Sequence, residues 1–236
     1  MMDLYRSFEA LARDQTEGVD YIIIARQASS AIAIIAPHAG GIEPGTGDIA
    51  DAIAADRYCF GAFKGIKETG NADLHIGSDR FDEPILSSMA GDAHVVVTIH
   101  GCCGETEQVY VGGRHEDLKQ RFVHALKKAG FHAEESLRPG LKGKSRGNLC
   151  NRCRTGRGVQ IEISKGLREH MVEGLGRRLI RKKTAVFYRF VHVIQAVLDD
   201  EAASFSSKAG MTSSVSRSLC PNPEQAPIIG PDAVSC

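Results

Sequence analysis

Four side chains in this sequence have the types and settings needed for metal-assisted hydrolysis. His38 lies in Pro37-His38-Ala39-Gly40-Gly41-Ile42-Glu43-Pro44-Gly45-Thr46, directly after the apolar run Ala31 to Ala36, and His100 follows the run His94 to Ile99. Glu43 shares the Gly-rich stretch with His38. Two imidazoles and one carboxylate at or just beyond strand ends are the donor set of a catalytic zinc site that keeps a position open for water. The glycines between His38 and Glu43 let both side chains turn back onto one ion without backbone strain. Such a site also needs a general base. Glu162, placed among Val159, Ile161 and Ile163, must face either solvent or a polar site, and is the natural candidate. The plain alternative is that both histidines are hydrogen-bonded structural residues, and an H-x4-E spacing alone is a weak signal.

A second feature is charge. Between Arg138 and Gly158 stand Arg138, Lys142, Lys144, Arg146, Arg152, Arg154 and Arg157, with no acidic residue. A Gly-rich, all-basic loop can approach an anion closely, and guanidinium groups grip carboxylate or phosphate in bidentate fashion. His75, ahead of Arg80-Phe81-Asp82-Glu83-Pro84, could project into the same cleft as a substrate contact. The remaining histidines read as structural, exposed or capping residues.

These groups must be carried by particular elements. Strands are expected at Tyr21 to Ala25 and Ala31 to Ala36, as a hairpin or adjacent pair, and at Arg57 to Phe63, His94 to Ile99, Gln108 to Val111 and Val159 to Ile163. Helices are expected at Leu4 to Arg13, Asp48 to Ala54, Glu83 to Ala90, Glu116 to Ala129, Gly166 to Gly174 and Thr184 to Leu198. Continuous apolar strands alternating with helices imply an α/β fold: a mixed, largely parallel central sheet with helices on both faces. Pro37 to Gly47 reads as a loop. Residues 1–202 read as one catalytic domain and 203–236, rich in Pro and Ser, as a poorly ordered tail.

Composition bounds the rest. The chain has 236 residues, 29 basic and 29 acidic, with 42% hydrophobic and 6% aromatic residues. No apolar run approaches the roughly 20 residues that cross a bilayer. The acidic N-terminus lacks a signal-peptide core, so a cytoplasmic location is expected. Neutral charge and few aromatics disfavour a nucleic-acid-binding protein that would use the Arg-rich loop against phosphates, although that class stays open. The cysteines, 7 in number and without repeated spacing, argue against a disulfide framework. Cys150-x-x-Cys153 lacks the second ligand pair of a zinc ribbon.

The runs IAPHAGGIEPGTGDIADAI, NADLHIGSDRFDEP, VTIHGCCGE, VYVGG and NLCNRCRTGRGVQIEISKGLR together resemble the poly-gamma-glutamate hydrolase family of phages, prophages and bacteria, over Tyr5 to Arg168. The resemblance implies a fold and metal site like those of zinc carboxypeptidases, and hydrolysis of gamma-glutamyl amide bonds. It implies Zn2+ held by His38, Glu43 and His100, and Glu162 activating water and protonating the leaving amine. It further implies that Asn151-Arg152 resembles a carboxylate-binding pair, with Arg154 and Arg157 holding other carboxylates of an anionic polymer. The expected enzyme is monomeric, has no membrane partner, and is released on host lysis if it is a phage product. A carboxypeptidase or amidase acting on another peptide, or on peptidoglycan, is the other enzymatic reading.

Overall fold

The computed structural model describes residues 3–177 and 180–215, the stretch 206–215 as helix backbone only. In chain order the elements are α1 (Phe8–Asp14), β1 (Tyr21–Arg26), β2 (Ile32–Gly40), α2 (Thr46–Ala54), β3 (Cys59–Gly65), a 3-10 turn (Asn71–Leu74), α3 (Pro84–Asp92), β4 (Val95–Cys102), β5 (Val109–Gly113), α4 (Glu116–Lys128), β6 (Ala133–Glu135), a second 3-10 turn (Leu149–Arg152), β7 (Val159–Ser164), α5 (Lys165–Met171), β8 (Val172–Glu173), β9 (Lys182–Lys183) and α6 (Ala185–Val215). Local chemistry sets the helix ends. The Glu83 carboxylate accepts from the Ile85 and Leu86 amides with Pro84 in the first turn of α3, and α4 opens with Glu116 and Asp117 and closes with Lys127 and Lys128.

Strands β1 to β7 form one sheet in the order β1-β3-β2-β4-β7-β5-β6. Strands β2, β3, β4 and β7 run parallel, β1 is antiparallel to β3, and β5 is antiparallel to β7 and parallel to β6. β2 is buried over its whole length, as an apolar strand covered on both faces must be. The expected β1–β2 pairing is not what forms. Both edges of β2 are taken by parallel neighbours delivered through helical crossovers, which leaves β1 only the outer edge of β3. β6, three residues long, carries too little pattern to be read from sequence.

The order has a functional consequence. From β2 the chain crosses through α2 to β3 on one side, then through α3 back to β4 on the other. The carboxyl ends of β2 and β4 therefore flank a topological switch point, where open α/β sheets bind ligands.

One face of the sheet packs Ala33, Ile35 and Val96 against Leu11 of α1, Leu86 and Met89 of α3, and Leu74 and Leu149 of the two 3-10 turns. α2, α4 and α6 are tied together on the other face. The Gln195 amide donates to Ala52 O at 2.9 Å, and Arg121 bonds Glu201 and Val197 O. Packing divides the chain into Met1–Ala202 and Ala203–Cys236. α6 runs past the expected stop at Leu198 to Val215, because the first proline able to break it comes only at Pro221. The rest of the expected tail, 216–236, lies outside the described residues. Among the described residues no helix is long and apolar enough to cross a membrane.

Candidate active site

His38 sits in β2 itself, not in a loop as its sequence suggests. The β2–β3 register holds to Ala36↔Ala62 and resumes at Ala39↔Lys64, so β2 carries one extra residue around Pro37 and His38. A bulge tolerates proline, which has no amide hydrogen for the ladder, and re-aims the side chain beside it. Gly40 follows with φ +74°, and a Cβ there would fall 2.2 Å from Gly65 O. Glycine is thus required where the chain turns back. The Glu43 amide then donates to His38 O at 2.8 Å and brings the carboxylate over the imidazole.

His38 Nε2 lies 2.8 Å from Ile76 O, and a carbonyl only accepts, so Nε2 carries the hydrogen. Its Nδ1 faces Glu43 Oε1 at 3.2 Å and His100 Nδ1 at 3.2 Å. His100 Nδ1 is 3.8 Å from Glu43 Oε2, and its Nε2 is 3.5 Å from Ser78 Oγ. Glu43 Oε2 also accepts the Gly101 amide at 2.8 Å. Burial opposes the charge on Glu43, but His38, His100 and the Gly101 amide overcome it and pull the carboxyl down to about 2. Burial pushes His100 down to about 3, whereas His38, equally buried, is raised because Glu43 and the Ile76 carbonyl favour its charged form.

These residues fit a zinc ion. A tetrahedral zinc with bonds of about 2.0–2.1 Å holds its donors about 3.3 Å apart, close to the 3.2 Å from His38 Nδ1 to Glu43 Oε1 and to His100 Nδ1, while the carboxylate's other oxygen, Oε2, lies 3.8 Å from His100 Nδ1. With its hydrogen committed to Ile76, a neutral His38 points a lone pair at a carboxylate oxygen and at a second ring nitrogen. Such a buried cluster of acceptors calls for a cation, a role that a proton on His38 fills when no metal is bound.

Glu162 pairs in register with His100 across β4 and β7, so both project from the same side of adjacent strands. Gln160 Nε2 donates to its Oε1 at 2.8 Å, and Asn148 Nδ2 donates to Gln160 Oε1 at 2.9 Å. Burial, followed by the Glu43 charge, raises the Glu162 carboxyl well above the ordinary range, against the opposing Gln160 hydrogen bond and Arg168 charge. Arg168, 5% exposed, donates to Ile163 O, Pro44 O and Cys102 O. It thereby ties together the three segments that carry Glu162, Glu43 and His100.

The expected substrate contacts separate into distinct groups. His75 Nε2 is 4.0 Å from Glu43 Oε1, and His38, Glu43 and His75 form a group whose ligand atoms lie within 4.8 Å of one another. It thus stands with the prospective ligands. Arg152 reaches the site's edge, with Nη2 donating to Ser78 O at 3.3 Å and Nε to Gly147 O at 2.7 Å. Asn151 does not offer a free amide. Its Oδ1 accepts from Arg114 and Gly158, and its Nδ2 donates to Gly143 O and Ser145 O, so it braces the basic loop. Arg154 and Arg157 lie at the wrong end of the sheet. The Arg154 amide donates to Ala93 O, before β4 begins, and Arg157 precedes β7. At about 3.3 Å of backbone per residue they start roughly 16–23 Å from the site.

Cys102 is held as the thiol rather than the thiolate. Burial and Glu162 push the Cys102 thiol up to about 11, while Cys150 and Cys153 are buried free thiols in the core. Sequence reading missed Gln160, Arg168, Ser78 and Asp3. The first could have been found from its i, i+2 spacing to Glu162 on one strand face, whereas Asp3 carries no local signal at all.

A family model described as poly-gamma-glutamate hydrolase matches residues 5–193. The chain is 33% identical over 195 residues to the UPF0714 protein YndL of Bacillus subtilis (strain 168), covering 81% of this chain and 76% of that protein. It is 30% identical over 204 residues to the SPbeta prophage-derived UPF0714 protein YoqZ of the same organism, covering 84% and 72%. Among solved structures, a bacteriophage poly-gamma-glutamate hydrolase superposes with TM-score 0.81 at 28% identity over 85% of this chain and 98% of that one. Zinc-free YNDL superposes with TM-score 0.79 at 33% identity, over 85% and 99%. The matched stretch carries His38, Glu43, His100 and Glu162 alike, and the chain belongs to the poly-gamma-glutamate hydrolase family.

Proposed function

We propose that this chain is a zinc-dependent hydrolase of the gamma-glutamyl amide bonds of poly-gamma-glutamate, with His38, Glu43 and His100 holding the ion and Glu162 moving the proton. The observation that carries this reading is the approach of His38 Nδ1, Glu43 and His100 Nδ1 to within 3.2–3.8 Å of one another, beside Glu162 on the adjacent strand. Zinc bound there supplies Lewis acidity toward the scissile carbonyl and makes water acidic enough to attack near neutral pH. Glu162 takes the proton from the attacking water and returns it to the leaving amine, and its raised proton affinity suits both steps. Arg152, half-buried at the rim, offers the edge of its guanidinium not spent on backbone carbonyls to a neighbouring substrate carboxylate.

The test is zinc content together with cleavage of poly-gamma-glutamate before and after chelation, in the wild-type protein and Glu162→Gln. Near one equivalent of zinc, chelator-sensitive cleavage, and a Glu162→Gln variant that keeps zinc while losing about 10²–10⁴ in kcat is the expected result. Bound zinc without cleavage moves the substrate to another amide. Cleavage untouched by chelation removes the metal from the reading.

A further inference from the structure

Each imidazole at the site turns one nitrogen inward and anchors the other in the segment His75 to Ser78 or through it. His38 Nε2 is held by Ile76 O and His100 Nε2 lies near Ser78 Oγ. His75 differs, because its outer nitrogen, Nδ1, meets a carboxylate, Asp3 Oδ1, at 2.7 Å. Asp3 is 72 residues away in sequence, its side chain is only 10% exposed, and it lies ahead of the segment shared with the family, which begins at residue 5. Its other oxygen accepts the Gly77 amide at 2.8 Å and Arg80 Nη2 at 2.5 Å. The carboxylate is thereby fixed from three directions.

A carboxylate only accepts, so Nδ1 of His75 carries the hydrogen and its Nε2 presents a lone pair. That lone pair faces Glu43 Oε1 at 4.0 Å, and the His75 ring lies over His38 with centroids 4.0 Å apart and planes tilted by 34°. A carboxylate that orients an imidazole from behind is the arrangement that raises a ligand's basicity and fixes its tautomer around bound metals.

We propose that Asp3 is a positioning residue of the cation site: through His75 Nδ1 it holds His75 Nε2 toward the ion, so the segment ahead of α1 sets metal retention. This rests on the zinc reading above and adds to it a residue outside the His38, Glu43 and His100 set. Asp3→Asn is nearly isosteric, but one amide cannot accept from both His75 Nδ1 and the Gly77 amide. Either one of the two contacts fails, or His75 takes the other tautomer, its Nδ1 accepting from the amide NH2 and its Nε2 lone pair lost.

The experiment measures zinc affinity by competition with a chromogenic chelator, with no substrate present, in wild type, Asp3→Asn, His75→Ala, the double variant and Arg80→Ala. The expected result is a loss of about 10–100-fold for Asp3→Asn. The double variant should bind within about twofold of His75→Ala alone, since coupled residues do not add, and Arg80→Ala, which removes one of the three anchors of Asp3, should lose clearly less than Asp3→Asn. Unchanged affinity in Asp3→Asn overturns the proposal, as do fully additive losses in the double variant. A loss in Arg80→Ala equal to that of Asp3→Asn also overturns it, because the effect would then belong to anchoring of the loop. A wild-type protein that binds no zinc overturns both this inference and the proposed function, whereas zinc binding with Asp3→Asn unchanged overturns this one alone.

Discussion

Gln160 Nε2 donates to Glu162 Oε1 at 2.8 Å from two residues back on the same face of β7. The direction of this bond is fixed from outside the strand. The Cys150 amide donates to Asn148 Oδ1, so Asn148 must present its NH2 to Gln160 Oε1, and Gln160 must present its own NH2 to Glu162. The buried amide chain thus favours the ionised form of Glu162 in a setting that otherwise opposes it.

Gln160→Met should therefore shift the pH dependence of turnover. Without the Gln160 donor, the Glu162 carboxyl, already raised by burial and by Glu43, rises further. Its base form becomes scarcer at a given pH, so the acid limb of kcat/KM moves to higher pH and activity near neutrality falls about tenfold. A kcat/KM profile with an unmoved acid limb would show that Gln160 does not act on Glu162.

Arg168 holds Ile163 O, Pro44 O and Cys102 O with one guanidinium. Arg168→Met leaves these carbonyls without that donor and should cost about 3 kcal/mol in urea unfolding, with a parallel loss of bound zinc. Arg168→Lys should recover only part of it, since an ammonium lacks the planar fork. Gly101→Ala should resemble Arg168→Met, because a Cβ there would sit 2.6 Å from Arg168 Cζ.

The basic loop should split by position. Arg152→Ala, at the site's edge, is expected to raise KM for short gamma-glutamate oligomers about tenfold. Arg154→Ala and Arg157→Ala, roughly 16–23 Å away by strand length, should leave KM within about twofold. Steady-state kinetics on an oligomer too short to span the sheet checks both statements.

Lys119, 1% exposed, is bonded to Glu135 at 2.7 Å and Glu116 at 2.8 Å. Its hydrogen bond to Glu135 is the chief cause of the lowered Glu135 pKa, reinforced by the Lys119 and Lys144 charges. A carboxyl lowered in the folded state contributes stability above its unfolded value and loses it as pH falls through the folded one. Glu135→Gln should then cost on the order of 1 kcal/mol at pH 7, with Glu116 retained as partner. The Tm difference from wild type should shrink as the pH drops below the ordinary carboxylate range. A difference that stays constant to pH 3 would remove the pair as its cause.

Much of the site is legible along the chain because it depends on short segments. His38, His100 and Glu162 each end or interrupt an apolar strand that has to be buried, Glu43 follows in the turn just after β2, and in a parallel sheet the carboxyl ends of such strands share one edge. The α/β class follows from the same alternation of apolar runs and amphipathic helices.

What the sequence could not order was decided by strand placement. β1 lost its expected partner to β3, and the bulge at Pro37 and His38 exists only through pairing with β3. The Arg-rich loop reads as one anionic cradle in one dimension. Folding sends Arg152 to the site edge, ties Asn151 into the backbone, and leaves Arg154 and Arg157 at the opposite end, because β7 must climb the height of the sheet before it reaches Glu162. Asp3 and His75 meet across 72 residues with no periodicity to announce it. Residue types and strand ends determined which chemistry this chain could do; the order and direction of the strands, which balance burial over the whole chain at once, decided which side chains take part.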